Sequence, residues 1–407
     1  MFHFVRPSGR AALCNATFLA ASIGLAAALP AAAQSTAPVV LTFSTVGDSR
    51  QDPINFDKAS VGPTLSGQDA IWLQNTKAFT RILRTVQTQK SSLLFFNGDM
   101  VHGYGWAGFG YTTNPTQTAI TGPIAPTSVA DIVGSDLLRF YQQYAYWRGI
   151  VSTVMETGTY VFPVAGNHET ECKACGKTAK VENENAFVAN MGDLVVDTSR
   201  FSGLFGTAPQ NIAYGPAAGT SPDGLTTDQG KLSYSFDHKG AHFVVINTDP
   251  VGKDAHAPTR WLAADLASAQ ARGIRRHFVF GHKAAYTYAY LANTATPAGG
   301  LDAAPGTIAD RDAFWDVIET YGATYFCGHE HIFNVSRPRG GAYQVIVGSG
   351  GSPFDAKATD VTIHPGTDRD YAWATVRLHA DGGVDILGYG FDSGFGPTSL
   401  LQQINLP

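Results

Sequence analysis

Five short motifs along this 407-residue chain combine glycine with side chains that bind metals or transfer protons. In chain order they are Gly47-Asp48-Ser49-Arg50, Asn97-Gly98-Asp99, Gly166-Asn167-His168-Glu169, Gly281-His282 and Gly328-His329-Glu330-His331. Each of them taken alone is typical of an ordinary turn. Together they supply carboxylate, amide and imidazole groups, and this mixed oxygen and nitrogen set suits Mn, Fe or Zn better than Mg or Ca.

Each motif follows a short run of β-branched and aromatic residues that predicts a strand. Strands are predicted at 39–46, 93–96, 160–164, 242–246, 277–280, 323–326 and 344–347, and in the tail at 372–378 and 384–389. Helical patterns lie between them at 68–87, 136–155, 258–271 and 309–321. This alternation predicts an α/β domain. Because ligand sites in open α/β sheets lie beyond the carboxyl ends of the strands, we expect the five motifs to converge.

Other signatures of catalysis or cofactor binding fit less well. The segment 103–108 matches the dinucleotide-binding fingerprint by its glycine spacing, but no amphipathic helix follows it. The chain has no G-x-S-x-G elbow and no P-loop lysine. A metal site is therefore the better prediction.

The motifs and their order resemble those of the calcineurin-like metallophosphoesterase superfamily, which includes the purple acid phosphatases. The resemblance implies a four-layer αββα sandwich and a dinuclear metal centre that activates water to hydrolyse phosphate esters. It implies that Asp48 and His331 bind the first metal and that Asp99 bridges the two. The ligands completing the second site would be Asn167, His282 and His329. The resemblance also places His168 near the leaving group, with Glu169 orienting its ring.

Arg50 departs from the pattern of this superfamily. Most members have a histidine ligand two residues after the first aspartate, and arginine cannot replace it because it has no free lone pair. Purple acid phosphatases also lack that histidine and use a tyrosine three residues after the bridging aspartate, where this chain has His102. Our hypothesis is that His102 fills the first site and that Arg50 contacts the substrate phosphate. The alternative is that His102 only lines the loop and one metal is bound.

Residues 1–33 are typical of a secretory signal peptide. Arg6 and Arg10 precede an alanine-rich apolar run, which ends in a small-residue cleavage motif before Gln34. Removing this segment takes away two arginines and no acid, so the net charge changes from −5 to −7. We expect a periplasmic or secreted protein with no membrane span after cleavage. An acidic chain also argues against a nucleic-acid-binding surface.

Three cysteines remain after the expected cleavage. Cys172 and Cys175 form a C-x-x-C pair, for which a small disulfide loop is the favoured interpretation in an oxidising compartment. A redox motif is the alternative, and a zinc half-site is disfavoured because no second C-x-x-C exists. Cys327 lies in an apolar run and is expected to be a buried free thiol.

The remaining chain, 34–407, is predicted to be one catalytic domain with insertions near 103–127 and 173–231. These two segments are rich in glycine and polar residues, and loops of such length usually have a function. A small-molecule phosphate ester, as a monoester or a diester, is the expected substrate. The alternative is a non-catalytic relative that binds a partner through an altered metal site. The oligomeric state is not predicted.

Overall fold

Two large sheets lie at the centre of the computed structural model, which describes residues 35–53, 72–108, 128–130, 134–219, 222–287, 300–302, 307–355 and 369–407. The strands are β1 (Val39–Val46), β2 (Leu93–Asn97), β3 (Tyr160–Val164), β4 (Glu171–Cys172), β5 (Thr178–Ala179), β6 (Gln210–Tyr214), β7 (Tyr234–His238), β8 (Ala241–Val245), β9 (Arg276–Phe280), β10 (Thr324–Cys327), β11 (Phe333–Ser336), β12 (Gln344–Val347), β13 (Tyr371–His379), β14 (Val384–Phe391) and β15 (Ser399–Leu406). The expected signal peptide and residues 109–127 of the first insertion lie outside the described residues.

Helices follow or separate most of these strands. They are α1 (Trp72–Thr88), α2 (Asp136–Met155), α3 (Asn167–Thr170), α4 (Val181–Met191), α5 (Thr198–Phe205), α6 (Thr259–Ala271) and α7 (Ile308–Thr320), with one 3-10 turn at Lys173–Cys175. Ser135 begins α2 by accepting a hydrogen bond from the backbone N–H of Leu138, so the helix starts where a capping residue allows it. None of the helices in the described part of the chain has the length and apolar character of a membrane span.

The first sheet has the strand order β15-β14-β13-β1-β2-β3. Its β1, β2 and β3 are parallel neighbours, whereas β13 to β15 are antiparallel. Three of the five motifs follow these parallel strands. Parallel neighbours end at the same edge, so the first three motifs meet there.

The second sheet has the order β11-β12-β10-β9-β8-β7-β6. In its centre, β12, β10, β9 and β8 run parallel. The remaining two motifs follow β9 and β10, which are adjacent. This sheet therefore delivers His282, His329 and His331 to one edge.

The two sheets pack face to face, and their outer faces carry helices. In β2, Leu93 and Phe95 belong to the core between the sheets, whereas Leu94 and Phe96 pack under α1 and α2. Across the sheets, the ring of Phe43 lies 5.0 Å from that of Phe278. A third apolar core joins α6 and α7 to the second sheet. The predicted four-layer αββα architecture is confirmed, and burial on both faces explains why these strands read as continuous apolar runs.

All the strands predicted from the sequence are present. The four predicted helices are also present in the part of the chain that the structure describes. The sequence missed the two-residue strands β4 and β5 as well as β6, β7, β11 and β15. The second insertion, 173–231, contains α4, α5 and β6 as well as irregular chain, so much of it is regular structure. Cys172 and Cys175 form the expected disulfide, and Cys327 is a buried free thiol as predicted.

Candidate functional site

The loops after β1, β2, β9 and β10 are joined by hydrogen bonds that backbone N–H groups donate. Asp48 N–H donates to the Gly98 carbonyl at 2.9 Å. Gly328 N–H donates to the His282 carbonyl at 2.9 Å, which links the two loops of the second sheet. His329 N–H donates to Asp48 Oδ2 at 3.0 Å, which links the sheets to each other. The site thus lies between the two sheets at the ends of their parallel strands.

Tight turns aim the side chains into this space. Asp48, Asp99 and His329 have φ angles of 62°, 52° and 69°. Residues with a Cβ rarely adopt this left-handed region, and such conformations concentrate at functional sites. At Gly328 a Cβ would lie 2.2 Å from Asp48 Oδ2, so only glycine lets these two loops approach so closely.

Four side chains form one group, which we call the Asn167 cluster: Asp99, Asn167, His282 and His329. Asn167 Oδ1 lies 2.8 Å from both His282 Nε2 and His329 Nδ1. Asp99 Oδ1 lies 3.1 Å from His282 Nε2. His282 Nδ1 donates to the Asn97 carbonyl at 2.7 Å, which leaves Nε2 for the cluster. Oxygen and nitrogen acceptors crowded in this way fit a shared cation.

A second group, the Asp48 cluster, consists of Asp48, Asp99 and His331, whose ligand atoms lie within 4.8 Å of one another. His331 Nδ1 donates to the Pro353 carbonyl at 2.6 Å, which directs Nε2 towards Asp48 Oδ1 at 3.6 Å. Among the described residues, neither His331 Nε2 nor Asp99 Oδ2 has a hydrogen-bond partner, and both are buried. Unpaired buried acceptors are costly, and a cation would satisfy them. Asp99 belongs to both clusters.

Arg50 lies beside the Asp48 cluster, with its Nε 3.7 Å from Asp99 Oδ2. His102 is not a member of that cluster. Its backbone carbonyl instead faces Nδ1 of His168, and the two rings are 6.1 Å apart. The hypothesis that His102 supplies a ligand to the first site therefore stays a prediction. The three side chains of the Asp48 cluster are one fewer than the four of the Asn167 cluster.

Glu169 does not orient the ring of His168, which corrects the expectation from the sequence. Its Oε2 accepts the backbone N–H groups of Gly166 and Asp99 at 2.8 and 2.9 Å, and its Oε1 accepts that of Val101 at 3.2 Å. The partner of His168 Nδ1 is the His102 carbonyl. Because Glu169 is fully buried, a carboxylate is needed there to satisfy three N–H groups, and it fixes the turn that presents Asp99.

Comparison with solved structures finds this architecture elsewhere. A purple acid phosphatase from yellow lupin (Lupinus luteus) seeds is similar at a TM-score of 0.53 and 13% identity, over 92% of this chain and 55% of the lupin chain. A dimetal phosphatase from Danio rerio matches at a TM-score of 0.48 and 13% identity, over 90% of this chain and 99% of that one. No protein-family model and no curated protein sequence matches.

The likeness to the lupin structure extends over most of this chain. The chain shares the fold of the lupin purple acid phosphatase. It spans about half of the length of the lupin phosphatase, 55%. The identities are low, so the likeness to solved structures concerns the fold of this chain and not its reaction.

Charge at the strand-end site is unevenly distributed. Burial alone would raise the pKa of Asp99, but His168, His282 and Arg50 hold it well below 3.8. Burial would lower the pKa of His282, but the Asp99 and Asp48 carboxylates raise it to about 10. A proton on His282 therefore offsets part of the negative charge when no metal is bound.

The two histidines of the motif after β10 behave oppositely to His282. Burial and the charge of His282 lower the pKa of His329 well below 6.5. Burial and Arg50 lower the pKa of His331 to about 4. Both rings are neutral at neutral pH, which is the form that binds metals.

Sequence reasoning gave no role to several residues around this fold's site. Tyr104 accepts a short hydrogen bond from Asn167 Nδ2, which directs Oδ1 of the amide into the cluster. The ammonium of Lys283 is buried between Asp249 and Glu171. Lys283 follows His282 directly, so this ion triad fixes the position of the His282 loop. The only signal in the sequence was the polar run that contains Asp249, at the end of β8.

Proposed function

We propose that this chain is an exported, metal-dependent hydrolase of phosphate esters. The observation that carries the proposal is Asp99, a fully buried carboxylate that belongs at once to the Asn167 cluster and the Asp48 cluster. A carboxylate shared by two sets of buried oxygen and nitrogen groups is suited to bridge two cations. The fold of the lupin phosphatase, whose chain carries a similar arrangement of layers, supports the same interpretation.

The chain's own residues divide into two unequal metal sites. The first cation would bind to the Asn167 cluster, which consists of Asp99, Asn167, His282 and His329. A second cation would bind more weakly to the Asp48 cluster, which consists of Asp48, Asp99 and His331. The mixture of imidazole, amide and carboxylate suits Mn, Fe or Zn. Bound there, such cations supply positive charge to the phosphoryl oxygens and lower the pKa of water.

Arg50 is placed to bind the substrate phosphate. Its guanidinium is partly exposed, at 22%, while its Nε faces the buried carboxylate of Asp99. Arginine keeps its charge at any relevant pH and matches phosphate with two parallel N–H donors. One face of the guanidinium would therefore neutralise Asp99 while its outer N–H groups hold the ester.

His168 is placed to act near the leaving group. Its Nδ1 donates to the His102 carbonyl, and its Nε2, 3.5 Å from Asp99 Oδ2, is without a hydrogen-bond partner among the described residues. Burial and the charge of Arg50 lower the pKa of His168 well below 6.5, so the ring is neutral in the absence of substrate. The negative charge of a bound ester raises that pKa and favours a proton on Nε2 that the departing alkoxide accepts.

Export is supported by the signal-like segment 1–33 and by the Cys172–Cys175 disulfide, since disulfides persist mainly in oxidising compartments. Mass spectrometry of the protein recovered from the periplasm or medium tests it: cleavage near residue 33 is expected. The intact chain in the cytoplasm would contradict it.

The reaction is tested by hydrolysis of p-nitrophenyl phosphate and bis(p-nitrophenyl) phosphate, with and without chelator. We expect hydrolysis of one or both esters that chelation abolishes and Mn or Zn restores. The second candidate is a binding protein, which is favoured by the ligand-poor Asp48 cluster with Arg50 beside it. Failure on both esters after reconstitution with metal would favour that candidate.

A further inference from the structure

A third group of metal-competent side chains lies outside the strand-end site. His256 is in the connection between β8 and α6, Asp302 precedes α7, and Asp310 is in the first turn of α7. One ligand atom from each lies within 4.8 Å of the other two. We propose that His256, Asp302 and Asp310 form an auxiliary cation site that binds a borderline divalent metal such as Zn, Mn or Co.

The buried carboxylate of Asp302 indicates that a cation binds here. Its side chain is only 6% exposed, and Oδ1 lies 3.1 Å from His256 Nδ1. Its other oxygen, Oδ2, is buried and has no hydrogen-bond partner among the described residues. A buried carboxylate oxygen without a partner costs free energy. Asp302 Oδ2 is such an oxygen, and it belongs to the same carboxylate that faces His256. An ion pair with His256 would account for Oδ1 alone, whereas a cation accounts for Oδ2 and for the approach of Asp310.

The backbone of Asp302 adopts an unfavourable conformation that a hydrogen bond holds in place. Its φ angle is 46°, in the left-handed region that residues with a Cβ seldom adopt. Its N–H donates to the Ala255 carbonyl at 2.7 Å, so Asp302 is fixed beside the residue that precedes His256. One imidazole and two carboxylates match the ligand types that Zn and its neighbours prefer, with water free to complete the coordination.

The auxiliary site would brace the loop that supports the strand-end site. Ala255 N–H donates to Asp249 Oδ1 at 2.9 Å, and His256 N–H donates to the Thr248 carbonyl at 2.9 Å. Asp249 in turn pairs with Lys283, the residue after His282. A cation on His256 thus fastens the β8–α6 connection to α7, and its role is structural.

The test is a count of bound metal in the full-length protein after removal of all metal and titration with Co²⁺, followed by calorimetry and elemental analysis. We expect Asp302→Asn to bind one equivalent fewer than the wild type. Asp310→Asn, at an exposed position that does not endanger folding, should weaken the same equivalent at least tenfold. The control Asp316→Asn, on the same helix and paired with Arg339, should bind like the wild type. Equal counts and affinities for the wild type, Asp302→Asn and Asp310→Asn would overturn the proposal.

A second variant separates this site from the strand-end site. His329→Ala removes a ligand of the Asn167 cluster and should lower the count without affecting the equivalent that depends on Asp302. The combined variant should lose both. If Asp302→Asn lowers the metal count in the wild type but not in the His329→Ala variant, the auxiliary site does not exist. If the protein hydrolyses neither ester but still binds the metal equivalent that depends on Asp302, only the proposed reaction is contradicted.

Discussion

The guanidinium of Arg50 lies against the carboxylate of Asp99, with Arg50 Nε 3.7 Å from Asp99 Oδ2. Asp99 is fully buried, and burial would raise its pKa, but the positive groups around it hold that pKa well below 3.8. Arg50 therefore adds a permanent positive charge beside the Asp48 cluster. A fixed cationic side chain beside a site weakens metal binding there by repulsion.

Replacing Arg50 by histidine should strengthen metal binding at the Asp48 cluster. The change removes a fixed charge and adds an imidazole lone pair, so we expect the second equivalent of Zn²⁺ or Mn²⁺ to bind at least tenfold more tightly. Calorimetric titration measures this. The control is Arg50→Gln, which removes the charge without adding an imidazole. Identical titrations for wild type and Arg50→His would contradict our view of the site.

Replacing Tyr104 by phenylalanine should weaken the Asn167 cluster. The tyrosine hydroxyl accepts from Asn167 Nδ2, and without it the amide is free to rotate its oxygen away from His282 and His329. Partners of this kind typically contribute about 10- to 100-fold to metal affinity. Competition with a chromophoric chelator measures the affinity, and the exposed Tyr141→Phe is the control. Unchanged affinity in Tyr104→Phe would show that the amide is held by other contacts.

Replacing Glu169 by glutamine should destabilise the protein. One of the two side-chain oxygens becomes an NH₂ group, which then faces backbone N–H donors that the carboxylate accepted. We expect a loss of about 1–3 kcal/mol in the free energy of unfolding, measured with urea. The exposed Glu156→Gln should change it by less than about 0.5 kcal/mol. A loss of activity with no loss of stability would instead favour direct contact between Glu169 and the reacting groups.

His242 makes stability depend on pH. Burial would lower its pKa, but Nδ1 lies 2.6 Å from Asp237 Oδ1 and Nε2 lies 2.9 Å from Asp265 Oδ2, and these carboxylates raise it above 6.5. The stabilisation is therefore fully present below about pH 6.5 and is lost as the pH rises through the raised pKa. His242→Gln should cost about 1.5–3 kcal/mol at pH 5.5 and less at pH 8.5.

The neighbouring His277 is the control for this pH dependence. Burial lowers its pKa below 6.5, so its neutral form is the stable one and its contribution is lost as the pH falls. His277→Gln should therefore cost more at pH 8.5 than at pH 5.5. Urea unfolding at both pH values measures the two variants, and parallel behaviour of the two would contradict the assignment of charge.

His168→Ala should reduce hydrolysis of alkyl phosphates more than that of nitrophenyl phosphates. A poor leaving group needs the proton from His168 Nε2, whereas nitrophenolate leaves without one. General acid catalysis contributes about 10²- to 10⁴-fold, so the ratio of kcat/KM values for the two substrates should change by at least tenfold. An equal loss for both would assign His168 to positioning only.

The sequence predicted most of the strands, because a strand buried on both faces, such as β2, consists of consecutive apolar residues. It also predicted that the motifs converge, because they follow these strands. It missed β15, an edge strand containing Gln402 and Gln403, because only Ile404 of this strand is buried and no apolar pattern is required there. It also missed α4 and α5. Two buried positions of α4 are the polar Asn183 and Glu184, and Phe201 is the one buried residue of α5, so neither helix shows a clear apolar face in the sequence.

The orientation of individual side chains was beyond the sequence. Spacing placed Glu169 next to His168, but it gave no information on where the carboxylate points, and in the structure the unpaired backbone N–H groups of the Asp99 turn attract it. His102 is likewise next to the site along the chain, yet it is its backbone carbonyl that faces His168 Nδ1. Tyr104 and Lys283 act through contacts with distant segments, which no local motif records.

The most direct test follows ester hydrolysis and bound metal in the same sample, as metal-free protein is titrated with Mn²⁺ or Zn²⁺. We expect no hydrolysis without metal, a rate that rises with occupancy of the Asn167 and Asp48 clusters, and a loss of at least 100-fold in Asp99→Asn, which removes the shared charge. Hydrolysis that persists without metal, or full metal occupancy with neither nitrophenyl ester hydrolysed, would contradict the account.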